Sequence, residues 1–132
     1  KLNDGCNSIV HSSISQEELK KVYSQSDIAL HVESFDLKNR LLTRMSFSTK
    51  IVDCLASSCA VMAICDEKQG GYEYLKRNDI AIRIPNVSKV HDVIHELLLD
   101  PADIMEYKKK AKIFLPCKFG KEKTDDHDYA RL

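Results

Sequence analysis

The chain carries no charge imbalance: twenty Lys and Arg offset twenty Asp and Glu in 132 residues. Without an excess of one sign there is no global field to hold an anionic polymer, so nucleic acid is not an expected partner. Long apolar runs are missing too, none approaching the roughly twenty residues of a helical membrane span. Residues 1–10 (KLNDGCNSIV) lack the apolar block of a secretory leader. The five cysteines, Cys6, Cys54, Cys59, Cys65 and Cys117, are odd in number and include no CxxC pair, so they match neither a zinc nor a redox template. Cys54 and Cys65 fall in apolar runs, where a free thiol behaves as a small hydrophobe, and a reducing cytoplasm is the expected setting. Only four glycines are present. None forms the Gly-rich turn after an opening strand that usually starts a doubly wound domain, so the opening strand is expected either to have been cut away or to come from elsewhere.

What remains is a composition of 43% hydrophobic and 30% charged residues, enough for one domain with a buried core. Two periodicities alternate. Ser8–Ile14 reads as a short strand, after a polar turn at Asn3-Asp4-Gly5. Ser15 and Glu18 then form a capping box, and Leu19, Val22 and Tyr23 draw the stripe of a helix ending near Ser26. Asp27–Val32 is a strand covered on both faces. Glu33–Phe47 is expected to be irregular, and it is long enough to be functional. A helix follows over Ser48–Ser57, burying Ile51, Cys54 and Leu55. Strands at Ala60–Cys65 and Ile80–Ile84 flank a short helix at Tyr72–Arg77. Val90, Val93, Ile94, Leu97 and Leu98 mark another helix, and Asp100-Pro101 opens the last one as cap and first residue. Four strand–helix repeats predict an α/β, Rossmann-like parallel sheet with helices on both faces over residues 1–116, with a polar tail at 117–132.

Ligands of such sheets bind beyond the carboxyl ends of the strands. Three stretches fall there: His11–Ser15, Glu33–Thr49 and the turn Asp66–Gly71. Glu33 ends an apolar strand, where a carboxylate has no packing duty. Arg44 and Lys50 flank Ser46, Ser48 and Thr49 at a helix start, where unpaired amides suit phosphate oxygens. Asp53, one turn on, is placed to accept from ribose hydroxyls. Taken singly, Ser46 or Ser48 is an ordinary N-cap, Arg44 and Lys50 are solvated charges, and Asp53 complements the helix dipole. His11 and His31 fall at strand ends, where each either touches a substrate or is satisfied in a partly buried setting. His91 and His95 are read as surface residues without a third ligand. Gly70-Gly71 either lets backbone approach a ligand or is a plain loop.

The runs SQEELKKVYSQSDIALHVESF and STKIVDCLASSCAVMAI resemble the C-terminal donor-binding domain of GT-B-fold glycosyltransferases, particularly retaining enzymes that build bacterial polysaccharides. The resemblance covers Ile9 to Leu115. It implies that Glu33 contacts donor-sugar hydroxyls at the catalytic position and that Asp53 holds the nucleotide ribose. It further implies that Ser48 and Thr49, with Arg44 and Lys50, meet the diphosphate, and that Ser12, Ser13 and Ile14 meet the base. Glu33 and Asp53 stand farther apart than in the family because Asp36–Phe47 looks like an insertion, and Ser34 and Ser58 replace residues that are commonly Gly. The implied partners are a nucleotide-sugar donor and an acceptor-binding N-terminal domain of the same enzyme. No cofactor or metal is expected. The setting is cytoplasmic, and peripheral association of the full-length enzyme with the inner membrane face is an arrangement the resemblance allows. Two other functions fit the same fold: a non-catalytic interaction module and a sugar-nucleotide epimerase.

Overall fold

Ala60–Ile64 (β2) is the centre of the molecule: Ala60, Val61, Met62 and Ala63 are essentially without solvent exposure. In a computed structural model, which describes residues 3–43 and 49–119, β2 is flanked by Ile28–Val32 (β1) and Ile82–Ile84 (β3). All pairings are parallel, in the order β1-β2-β3, with Ala29 opposite Val61 and Met62 opposite Ile82. Between and around the strands lie the helices Gln16–Ser24 (α1), Leu37–Thr43 (α2), Thr49–Ala56 (α3), Gly70–Asn78 (α4), Val90–Leu99 (α5) and Ala102–Phe119 (α6).

Alternation along the strands divides the core in two. On one side Ala29, Val61, Ala63 and Cys65 meet Ile51, Cys54 and Leu55 of α3, Tyr72 and Leu75 of α4, and Ala111 of α6. On the other, Met62 and Ile84 meet Leu97 of α5, with Ile28, Ile64, Val90, Val93 and Ile104 packed around them. Helices therefore cover both faces, as the α/β, Rossmann-like reading requires. The faces are not covered equally. Leu30 and Val32, on the outer strand β1, remain 58% exposed each.

Several local signals act as the sequence implies. The capping box closes, the Glu18 amide donating to Ser15 Oγ at 3.2 Å and the Ser15 amide to Glu18 Oε2 at 2.8 Å. Asp4 organises the polar turn, its Oδ1 accepting from the amides of Cys6, Asn7 and Ser8. The Asp100 carboxylate accepts from the Ala102 amide at 3.1 Å and starts α6.

Three expectations are corrected. Ser8–Ile14 is not a strand. Its apolar pair, Ile9 and Val10, would point to opposite faces of a strand and is left 62% and 59% exposed, too little on either side to bury against a sheet. The described sheet thus has three strands, not four. Glu33–Phe47 is not irregular throughout, because α2 forms inside it. The Asp36 amide donates to Ser34 Oγ and the Asp36 carboxylate accepts from the Asn39 amide, a local cap that starts a helix without a buried face. Finally, α6 runs through Pro116 to Phe119, so the boundary drawn at 116 falls within its last turn.

Candidate functional site

The carboxyl ends of β1 and β2 lie side by side, and the residues that follow them build the site. Glu33 continues the β1 ladder, its amide donating to the Ile64 carbonyl at 3.0 Å. That bond fixes the backbone at the strand end and sends the carboxylate to the sheet edge. Its Oε1 lies 3.4 Å from Nε2 of His31, with the histidine side chain 1% and the glutamate side chain 25% exposed. Burial pushes His31 below its ordinary pKa; the Glu33 charge opposes this and Lys50 reinforces it. Burial thus favours the uncharged ring. Next to them, burial pushes the Cys65 thiol up to about 12, with Glu33 and Asp66 adding to the effect.

The turn after β2 meets α2. Arg40 Nη1 pairs with Asp66 Oδ2 at 3.3 Å, and a cavity of about 170 Å³ lies between Arg40, Leu41, Asp66, Lys68 and Gln69. Gln69, 4% exposed, occupies the N-cap position of α4. Immediately inside that helix Gly71 has a packing duty: a Cβ there would lie 2.6 Å from Ile51 Cδ1. So Gly71 lets α4 approach α3 closely, whereas the sequence left open a backbone–ligand approach or a plain loop.

Asp53 faces another way. It lines a cleft of about 200 Å³ between α3 and α1, together with Gln16, Leu19, Lys20, Tyr23, Ala56 and Ser57. The Tyr23 hydroxyl is raised above its usual pKa, first by burial and then by Cys54, Asp53 and Cys59. The structure thus brings Glu33 and His31 together with Lys50 near enough to be felt electrostatically, while Asp53 opens onto the α1 cleft one helical turn from Lys50. Thr49 and Lys50 are exposed in the first turn of α3. Arg44, Ser46 and Ser48 lie outside the described residues.

Other candidates are placed differently from expectation. Ser12 and Ser13 are exposed and Ile14 half-buried in the stretch before α1, so they do not follow a strand; nor does His11, since residues 8–14 form none. His31 is buried, which removes it from contact with a solute. His91 and His95 stack at 6.4 Å on the exposed side of α5, with Asp92 beside His91, and no group of three or more metal-ligating side chains occurs among the described residues. Sequence reasoning missed Arg40, because an irregular segment gives no reason to single out one cation. Asp66 and Gln69 were within reach, since the β2–α4 turn is where the carboxyl-edge rule points. Among the described residues no helix is long and apolar enough to cross a membrane.

A family model described as glycosyl transferase-like aligns with residues 3–130. No curated protein and no solved structure matches. The aligned span takes in every element described above, and a three-stranded parallel sheet with helices on both faces is the architecture expected of a GT-B-type C-terminal domain. This chain belongs to the glycosyl transferase-like family.

Proposed function

We propose that this glycosyltransferase domain binds a nucleoside-diphosphate sugar across the carboxyl edge of its sheet and presents it for transfer to an acceptor hydroxyl on a glycan, a lipid or another molecule. The observation that carries this proposal is Glu33: a carboxylate just past the end of β1, three-quarters buried, with Oε1 3.4 Å from Nε2 of the buried His31. A carboxylate so held has lone pairs to offer to sugar hydroxyls. The first turn of α3 with Lys50 suits the diphosphate, and Arg44 and Ser48, outside the described residues, are assigned to it in the same reading. Asp53, at the mouth of the α1–α3 cleft, suits ribose hydroxyls, with Ser12, Ser13 and Ile14 ahead of α1 meeting the base.

In the transfer, the bond from the anomeric carbon to the diphosphate oxygen breaks and a bond to the acceptor oxygen forms, the acceptor losing its proton. Negative charge grows on the departing diphosphate. Cations and helix amides already aimed at that position stabilise it without reorganising, which is where most of the rate enhancement in such sites originates. The acceptor is held by a separate N-terminal domain, so this chain alone binds nucleotide weakly and transfers no sugar.

Calorimetric titration with UDP-, GDP- and CDP-sugars tests the proposal. Binding within one base series is the expected result. An absence of heat with every donor, from a chain shown to be folded, would sink the proposal and leave the interaction module standing.

A further inference from the structure

We infer that His31 is a positioning residue for Glu33: protonated on Nε2, its ring fixes one carboxylate oxygen and leaves the other to accept from a donor-sugar hydroxyl, a role that rests on the donor site proposed above. Position comes first. Residues two apart on a strand share a face, so His31 and Glu33 both project toward the α3 side of β1. The other positions on that side of β1 and β2 are apolar: Ala29, Val61, Ala63 and Cys65. A ring 2% exposed among them is too deep to touch a solute, and a leucine would pack there without a polar penalty.

The tautomer follows from the two nitrogens. Nε2 lies 3.4 Å from Glu33 Oε1, while Nδ1 is buried with no hydrogen-bond partner among the described residues. A proton on Nδ1 would leave a buried donor unsatisfied and turn the Nε2 lone pair against a carboxylate oxygen. A proton on Nε2 turns a donor toward the carboxylate oxygen 3.4 Å away, an electrostatically favourable contact that shortening would convert to a hydrogen bond, and leaves only an acceptor unpaired, the milder of the two defects. The buried imidazole is thus retained at a cost that packing does not explain, and its one described polar contact is the carboxylate. Glu33 Oε1 faces the ring at 3.4 Å, and Oε2 has no described partner. A carboxylate pinned at one oxygen meets a ligand without first losing rotational freedom, which is what preorganisation of a binding group means.

Two variants separate positioning from packing. His31→Leu fills the space without a donor and removes the unpaired acceptor, so the fold is expected to survive, as a thermal melt would verify. His31→Gln keeps an amide donor near the place of Nε2. Each is titrated with the nucleoside-diphosphate sugar that binds the wild-type chain best and with the matching diphosphate lacking the sugar. The expected result is that His31→Leu weakens the sugar nucleotide about tenfold and the bare diphosphate less than about twofold, with His31→Gln recovering most of the loss. Equal weakening of both ligands, or of neither, overturns the inference. If the wild-type chain binds no sugar nucleotide, the donor site has failed, and nitrogen NMR of the imidazole decides the His31 contact separately. A neutral ring protonated on Nε2, whose resonance moves in Glu33→Gln, supports the contact. A ring protonated on Nδ1, or on both nitrogens at neutral pH, overturns it.

Discussion

Gly71 and Ile51 offer the sharpest test of how α3, the helix carrying Lys50 and Asp53, is held in place. A Cβ on Gly71 would stand 2.6 Å from Ile51 Cδ1, about an ångström inside the 3.5–4.0 Å optimum for carbon pairs. Ile51 has no solvent exposure, so its methyl cannot swing outward, and overpacking of this kind costs about 1–3 kcal/mol. Alanine's helix preference over glycine returns at most about 1 kcal/mol. Gly71→Ala is therefore expected to destabilise by about 1 kcal/mol net. Ile51→Val deletes the clashing methyl and by itself costs about 0.5–1.5 kcal/mol. In that background the new Cβ has room, and Gly71→Ala becomes neutral or stabilising. The double mutant should thus be more stable than the sum of the singles by roughly 1–2 kcal/mol. Urea denaturation followed by circular dichroism, with unchanged m-values, measures each term. Additivity within about 0.5 kcal/mol would refute the α3–α4 contact.

Ser58 holds a left-handed backbone, φ 66°, which costs a side-chain-bearing residue about 1 kcal/mol or more. Ser58→Gly is expected to raise the melting temperature by about 3–6 °C, and a lowered one would contradict the geometry. Asp79, also left-handed at φ 50°, accepts from Lys110, Tyr107 and Arg83, and the Lys110 hydrogen bond is the largest cause holding its carboxyl below the ordinary range. For a depressed carboxylate the stabilisation is complete above its unfolded pKa, near about 4, and is lost as pH falls through the lower folded value. Asn tolerates the left-handed region, so Asp79→Asn isolates the charge: it should cost no more than about 1 kcal/mol at pH 7 for so exposed a group, and the deficit should vanish on acidification. A deficit independent of pH would contradict the ion pairs. Thiol chemistry offers a fourth test. Burial pushes Cys54 up to about 11 and Cys65 up to about 12, whereas Cys6 is exposed. Iodoacetamide at neutral pH should label Cys6 in the native chain and reach Cys54 and Cys65 only after denaturation, as peptide mass mapping would show; native labelling of either buried thiol would refute their placement.

How far the sequence could be read depended on where each signal was stored. Ser15 with Glu18, and Asp100 ahead of Ala102, were legible because a cap is a contact between residues a few positions apart. β2 and α3 were legible because their apolar residues match the faces they bury; β1 was legible as an apolar run, but the expectation that both its faces are covered is overturned, since Leu30 and Val32 stay 58% exposed. α2 was not: Leu37, Leu41 and Leu42 are 63%, 64% and 72% exposed, so the helix owes nothing to a buried stripe and follows instead from Ser34 and Asp36 capping its start. Ile9 and Val10 misled in the opposite sense, since adjacent apolar residues imitate a strand that has no sheet to join. Within the site, Glu33 and Lys50 could be named from the carboxyl-edge rule. The turning of Asp53 toward α1, the burial of His31 and the Arg40–Asp66 pair depend on contacts between distant residues, which neither spacing nor periodicity encodes. Ser58 stands where the resemblance implies glycine, and its positive φ of 66° gives a physical reason for such a preference.

The central claim is that a sugar nucleotide lies along the carboxyl edge of the sheet. Amide chemical shifts of a ¹⁵N-labelled chain, titrated with the donor that gives the largest calorimetric heat, test it directly. Shifts are expected at Glu33, through Thr49–Asp53 and across Asp66–Gly71, with Glu33→Gln reducing the response to the sugar nucleotide and not to the bare diphosphate. Shifts confined to α5, or a spectrum unmoved by saturating donor, would contradict the account.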